Sequence, residues 1–374
     1  MIISRKNPKI FITSTMVLCF LSSCSSKSFL SEFVVRNFSY QEFDKKNLIT
    51  EVSKNVIIPQ YADFKNTSTN LENKIKTLTD NPNNENLLLA QNAWKEVIAS
   101  WQRTESFQFG PVKNLNIANK IYFWPVKEVS IKEVIIKDKN TLTNNYLDSV
   151  GVAKKGIPVI EYLIFNKDGK NDLVIDSIKN SETIKRYLNL LTNDLKNNAI
   201  SINNEWNQLK GNYSLKLSNE SNAFNMLLNN MIATLEDIKD KKIDIPLGKK
   251  SGGEIKPLEV ESPFSNNSKN NIISNLEGLK ILFQGSLKNT DQTGLDDYLE
   301  YVEKQNLKDT INSQITKTID LVKTINSPLS IAVEKENTKV ESVHNELKEL
   351  LRLIKVDVAI AVNETVHFNS SDGD

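Results

Sequence analysis

Two carboxylates stand where apolar side chains belong, and they are the residues of this chain best able to do chemistry. Glu161 sits in Gly156-Ile157-Pro158-Val159-Ile160-Glu161-Tyr162-Leu163-Ile164-Phe165, a run otherwise almost wholly apolar. If Pro158 opens a helix, a place proline suits, then Ile157, Ile164 and Phe165 share the face of Glu161. Glu105 extends a second stripe, Trp94, Ile98, Trp101 and Glu105, at helical spacing. A carboxylate on a core-facing stripe costs free energy unless it is paired, hydrogen-bonded or metal-bound. Two readings are open for each. In the first, Glu161 meets the free N–H groups of its own helix's first turn, and Glu105 ends its stripe where the helix reaches water. In the second, both line a binding site with Arg103. Their oxygens would take a hard cation, or an ion pair would hold a small solute or peptide. Trp101 would wall such a site, although tryptophans at this spacing serve a core equally well.

Other chemistries are poorly supplied. The cysteines are Cys19 and Cys24, and the histidines His344 and His367 both lie near the C-terminus. A zinc hydrolase typically uses about three protein ligands and keeps one position open for water. No His-Glu-x-x-His or Gly-x-Ser-x-Gly sequence occurs.

The N-terminus addresses the protein. Arg5, Lys6 and Lys9 precede an apolar stretch from Ile10 to Leu21, too short to span a bilayer. It ends in Leu21-Ser22-Ser23-Cys24, which resembles the bacterial lipobox. Residues 1–23 are expected to be a signal peptide, Cys24 the lipidated first residue of the mature chain, and 24–35 a tether. Ser25 after the cysteine favours the outer membrane, facing the periplasm or the surface. On this reading the mature chain keeps no thiol, so thiolate nucleophiles, zinc–thiolate sites and iron–sulfur clusters fall away. Loss of the three n-region cations takes the formal net charge from +1 to −2. No basic field points to nucleic acid.

The elements that must position Glu105 and Glu161 are helices. Leu87, Trp94, Val97, Ile98 and Trp101 recur at threes and fours; so do Ile184, Tyr187, Leu188, Leu191 and Leu195, with Ile202, Trp206 and Leu209 further on. Phe224 to Ile238, Ile311 to Val322 and Val343 to Val358 repeat the pattern. Short extended pieces are expected only at 132–136 and 365–368. The fold class is all-α: two antiparallel helical-bundle domains, 36–243 and 271–374, joined by an interdomain loop at 244–270 whose prolines and glycines cannot continue a helix. That loop is either a plain connector or a junction packed against the site.

Four segments carry a family resemblance: Ala93-Trp94 through Gly110-Pro111-Val112, Phe123-Trp124-Pro125, Gly156 through Phe165, and Lys242 through Phe264. In this order the chain resembles the imelysin family of bacterial envelope proteins. The resemblance implies two related bundles with a site where they meet, to which Gly156 and Trp124 would contribute beside Glu161, Glu105, Arg103 and Trp101. It also implies a divalent metal or iron, held by Glu161 and Glu105, and envelope iron-uptake components as partners, since family members have been tied to iron acquisition and to metallopeptidase activity. One departure matters. The family motif Gly-x-His-x-x-Glu has Pro158 at its histidine, so catalysis by a His-held metal is not expected. The readings carried forward are a lipid-anchored binding protein, an unusual metallopeptidase-like hydrolase, and a non-catalytic interaction or scaffold protein.

Overall fold

The computed structural model describes residues 43–137, 141–207, 212–287 and 292–366, and every regular element in them is helical. Most of the core is carried by α1 (Ile58–Asp80), α2 (Asn84–Arg103), α3 (Ile157–Ile164), α4 (Glu182–Trp206), α5 (Ala223–Glu236), α6 (Ser268–Gln284), α7 (Gln305–Lys323) and α8 (Asn337–Arg352). The apolar stripes named above are their buried faces: Leu87, Trp94, Val97, Ile98 and Trp101 on α2, and Ile184 through Trp206 on α4. The starts are set by side chains that satisfy free backbone donors. Asn83 accepts from Asn86 N at 2.9 Å to open α2, and Ser181 accepts from Ile184 N at 3.3 Å to open α4. After α5 the helix widens into π geometry over Asp237–Asp244, a distortion often found at functional sites.

Helix α1 packs against both α2 and α4; α6 lies against α2 and passes the packing on to α7, and α7 to α8. From Asp44 onward the chain is one compact unit. The helices before and after 244–270 lie within that unit and meet where α6 packs on α2. This segment is built into the molecule, with Val260, Glu261 and Ser262 buried. The expected extended piece at 132–136 is instead the end of a helix, Glu128–Ile136. Ile131 and Val134, three apart, are its buried side chains, and Glu128 pairs with Lys132 one turn on, so helical spacing outweighs the β-branched composition. Leu209, His367, Cys24, the signal peptide, the tether and residues 367–368 of the expected piece at 365–368 lie outside the described residues.

The first and last described segments meet. Lys45 Nζ lies 2.6 Å from Glu364 Oε1 and 5.3 Å from the ring centres of both Phe224 and Tyr298. Asn225 Nδ2 donates to Glu364 Oε2 at 3.3 Å, and to the carbonyl of Thr365.

The joint between the helix groups depends on Gly278 of α6. A Cβ there would lie 2.2 Å from the carbonyl oxygen of Arg103 at the end of α2, a backbone atom that cannot step aside. Gly278→Val should therefore lower unfolding free energy by about 1–3 kcal/mol through overpacking. Gly151→Ala, where an added Cβ meets nothing within 4 Å, should change it by less than about 0.5 kcal/mol. Denaturant unfolding of both variants measures the contrast; equal effects would show that the close approach is unimportant.

Candidate functional site

Glu161 is fixed by both ends of its helix. Trp94 Nε1 donates to Ile157 O at 3.0 Å and Gln91 Nε2 to Ile164 O at 2.7 Å, so α2 holds α3 at its first and last turns. Gly156 opens α3 at φ +87°, and a Cβ there would come within 2.4 Å of Ile121 O. Its role is close backbone packing. Glu161 is 1% exposed. Its Oε1 accepts from Phe264 N at 3.1 Å, Ser265 N at 2.8 Å and Ser265 Oγ at 2.7 Å. The partners of Glu161 are thus donors of the 244–270 segment, not its own first turn. Burial pushes its carboxyl up to about 7, against the pull of these donors. A protonated carboxyl fits the geometry, because one oxygen can accept all three bonds while the other carries the proton.

Glu105 belongs to a second network, centred on a lysine. Past the end of α2, residues Glu105–Phe107 form a 3-10 turn. Lys242, 5% exposed, reaches in from the π segment. Its Nζ donates to Gln102 Oε1 and Asn275 Oδ1, both at 2.7 Å, and lies 3.3 Å from Glu105 Oε2 and 3.2 Å from Glu261 Oε1. Asn275 of α6 also donates to the Gln102 carbonyl at 2.9 Å and to Glu105 Oε2 at 2.7 Å. Burial alone would lower the Lys242 ammonium, but the Glu105 and Glu261 carboxylates outweigh it and hold its pKa above the usual value. Glu105 is pushed up to about 7: burial raises it, Lys242 opposes, and Glu261 and Asp237 raise it further.

Glu261 completes the network. Its Oε1 accepts from Tyr122 OH at 2.6 Å and Gln102 Nε2 at 3.1 Å, while its Oε2 is buried with no hydrogen-bond donor from the protein. The backbone here is pinned by Ser268 Oγ, which donates to the Glu261 carbonyl, and by Asn271 Nδ2, which donates to Ser262 Oγ at 2.9 Å. Burial, then Glu261, pushes the Tyr122 hydroxyl well above its usual range, so it remains a donor.

These groups line a cavity of about 400 Å³ whose walls include Trp101, Glu105, Tyr122, Trp124, Asp237 and Glu261. Of the residues singled out from sequence, Trp101, Glu105 and Trp124 line it. Arg103, Gly156 and Glu161 are not among its lining residues. Arg103 points to the far side of α2 and pairs with Asp63 at 2.9 Å, as expected for a residue two positions from Glu105 on a helical end. Lys242, Glu261, Gln102, Asn275 and Tyr122 were not anticipated as site residues. Lys242 was within reach of the same reasoning, because it falls four residues after Ile238 where the buried stripe of α5 runs on into the π segment, an ammonium on an apolar face. Glu261 sits in irregular backbone and leaves no periodic signal.

A resident metal of the kind implied by the family resemblance does not fit this donor set. Pro158 offers no ligand where the motif has histidine, and Glu161 Oε1 is already occupied by three donors. Between Glu105 and Glu261 the positive charge is that of Lys242. His344, the histidine among the described residues, lies elsewhere, with its Nδ1 2.6 Å from Asp244 Oδ1. Among the described residues no three His, Cys, Asp or Glu side chains form a group able to hold a metal ion.

An all-helical architecture with an acid-lined cavity beside a buried lysine is the class that fold and site define. Residues 57–354 match the Imelysin family model, peptidase family M75, and the chain belongs to that family. It is 22% identical over 242 residues to iron-regulated protein A of Synechococcus elongatus, covering 62% of each chain; less than two thirds of that relative is therefore matched. Its fold is that of an imelysin-like protein from Psychrobacter arcticum, with a TM-score of 0.72 and 19% identity, covering 87% of this chain and 97% of the other. A protein from Parabacteroides distasonis described as an iron-regulated protein A precursor superposes with a TM-score of 0.70 at 18% identity, covering 83% and 94%.

The state of Glu161 has a measurable consequence. A carboxyl whose folded-state pKa is raised contributes stability that is fully present below its ordinary value of 4.5 and lost as pH climbs through about 7. Glu161→Gln, with an amide in place of the protonated carboxyl, should flatten the fall in melting temperature between pH 5 and 7.5 and melt no lower than wild type at pH 7.5. Thermal melts across this range test it. An unchanged slope would mean that Glu161 is ionised throughout.

Proposed function

We propose that this protein is a lipid-anchored binding protein of the cell envelope, taking a small positively charged ligand into the cavity beside Glu105 and Glu261. One observation carries the reading: Glu261 Oε2 is buried in a cavity-lining residue and receives no donor from the protein. A buried carboxylate oxygen without a donor is costly to keep; it has essentially no surface open to the cavity, so a ligand N–H or cation would satisfy it once the Glu261 side chain turns toward that space. The charges along the wall agree. Glu105, Asp237 and Glu261 face Lys241 and Lys242, an excess of one negative charge when all are ionised. Hydrolysis is less well served, because Pro158 removes the motif histidine.

The location rests on the N-terminal pattern ending in Cys24 and on the word precursor in the description of the Parabacteroides relative. No helix among the described residues is long and apolar enough to cross a membrane, so attachment would fall to the lipid on Cys24. Iron enters through the name of the Synechococcus relative. It would be cargo, delivered to or from other envelope components, and it is one arm of the test.

The mature protein should be titrated calorimetrically with Fe²⁺ under reducing, anaerobic conditions and with simple alkylammonium salts. At least one should bind, and Glu261→Gln should weaken that binding about tenfold or more while circular dichroism is unchanged, the loss expected for one charge-assisted hydrogen bond. If no cation binds, the network is purely structural and the scaffold reading replaces this one. For the anchor, Cys24→Ala should move the protein from the detergent-extracted membrane fraction to soluble or precursor forms and abolish labelled fatty-acid incorporation. Unchanged fractionation with retained label would remove Cys24 as the anchor.

A further inference from the structure

We infer that the ligand of the cavity is a monovalent organic ammonium with a short apolar stem rather than a bare metal ion; this rests on the binding reading above and narrows it. The walls supply the first reason. Trp101, Tyr122, Phe123 and Trp124 line the same space as Glu105 and Glu261, and Phe123 and Trp124 are only partly covered by protein. Aromatic faces attract an organic cation and pack against its alkyl stem. The rings of Trp101, Phe123 and Trp124 offer no ligand atom to a metal, and the Tyr122 hydroxyl is already engaged with Glu261.

The second reason is that the network already holds an ammonium. Lys242 Nζ is surrounded by two amide oxygens at 2.7 Å and two carboxylates at 3.2 and 3.3 Å. These are N–H···O spacings. Metal–oxygen bonds are shorter, about 2.0–2.6 Å for Mg²⁺ and Ca²⁺. Glu105 and Glu261 are thus set apart by a nitrogen cation, and no group of three His, Cys, Asp or Glu side chains among the described residues could close around an ion.

The third reason concerns Glu261 Oε2. Its Oε1 takes the donors of Tyr122, Gln102 and Lys242, leaving Oε2 without one. A primary ammonium would supply the missing N–H once the Glu261 side chain turns toward the cavity, and its one positive charge matches the single negative excess of the wall when all its groups are ionised. The volume, about 400 Å³, falls in the usual range for small-molecule pockets and leaves room for a stem of several carbons against the aromatic side chains.

The test uses the mature protein with n-pentylammonium, 1-pentanol as its uncharged counterpart, tetramethylammonium as a cation without N–H, and Fe²⁺. Binding is read by calorimetry and by the fluorescence of Trp101 and Trp124. Pentylammonium should bind at least tenfold tighter than pentanol and severalfold tighter than tetramethylammonium. Trp124→Ala should weaken pentylammonium about threefold to tenfold, the range of a partly exposed cation–π contact. Phe123→Leu gives a second reading of the same wall if Trp124→Ala does not fold. Fe²⁺ binding that depends on Glu261, with pentylammonium no better than pentanol, overturns this inference and leaves the binding reading standing. Failure of every probe overturns both.

Discussion

The ammonium of Lys242 is the charge around which the rest of the molecule is arranged. It joins the end of α2 through Gln102, the following turn through Glu105, the 244–270 segment through Glu261, and α6 through Asn275. A charge this deep is tolerable only when its donors are met by well-placed acceptors. That requirement explains several features that otherwise look unrelated. The segment after the π helix must be ordered, because it delivers Glu261. Helix α6 must approach α2 closely enough for Asn275 to touch both Gln102 and Glu105, and the absent side chain of Gly278 permits the approach. The cavity is acidic because the ammonium needs carboxylates near it, and one of those carboxylates keeps an oxygen in reserve.

Proline at the motif's histidine position reshapes the other half of the site. Pro158 is buried in the first turn of α3, where its ring suits the helix start. Glu161 remains, but the backbone and hydroxyl of Ser265 and the backbone of Phe264 take its Oε1. The motif's acid thus fastens the loop that carries Glu261. The chain keeps the family's fold, and a loop-to-helix contact of its own stands where the motif would supply a metal-binding pair.

Periodicity made the helices legible, because burial of an apolar stripe is what stabilises a helix in a packed molecule. It also exposed Glu105 and Glu161 as carboxylates out of place, and both prove to be mostly or wholly buried. What the pattern does not carry is the partner of each. Glu161 is satisfied by residues about a hundred positions away in irregular backbone, and Arg103, the nearest cation in sequence to Glu105, turns to Asp63 instead. The Glu105 partner is Lys242, more than a hundred residues on. Helical phase settles which face a side chain occupies; it says nothing about which distant segment will cover that face. The helix at Glu128–Ile136 is the reverse case, with a β-branched run overruled by the burial of two residues at helical spacing.

The contact between Lys45 and Glu364 has a mechanical consequence. It ties the point where the chain enters the body to the point where the described chain ends, with Phe224 and Tyr298 flanking the lysine. Tension arriving at Lys45 would meet a corner where the segments carrying Lys45 and Glu364 are already fastened to α5. Load would be shared by the helices behind that corner instead of peeling the first helix away alone.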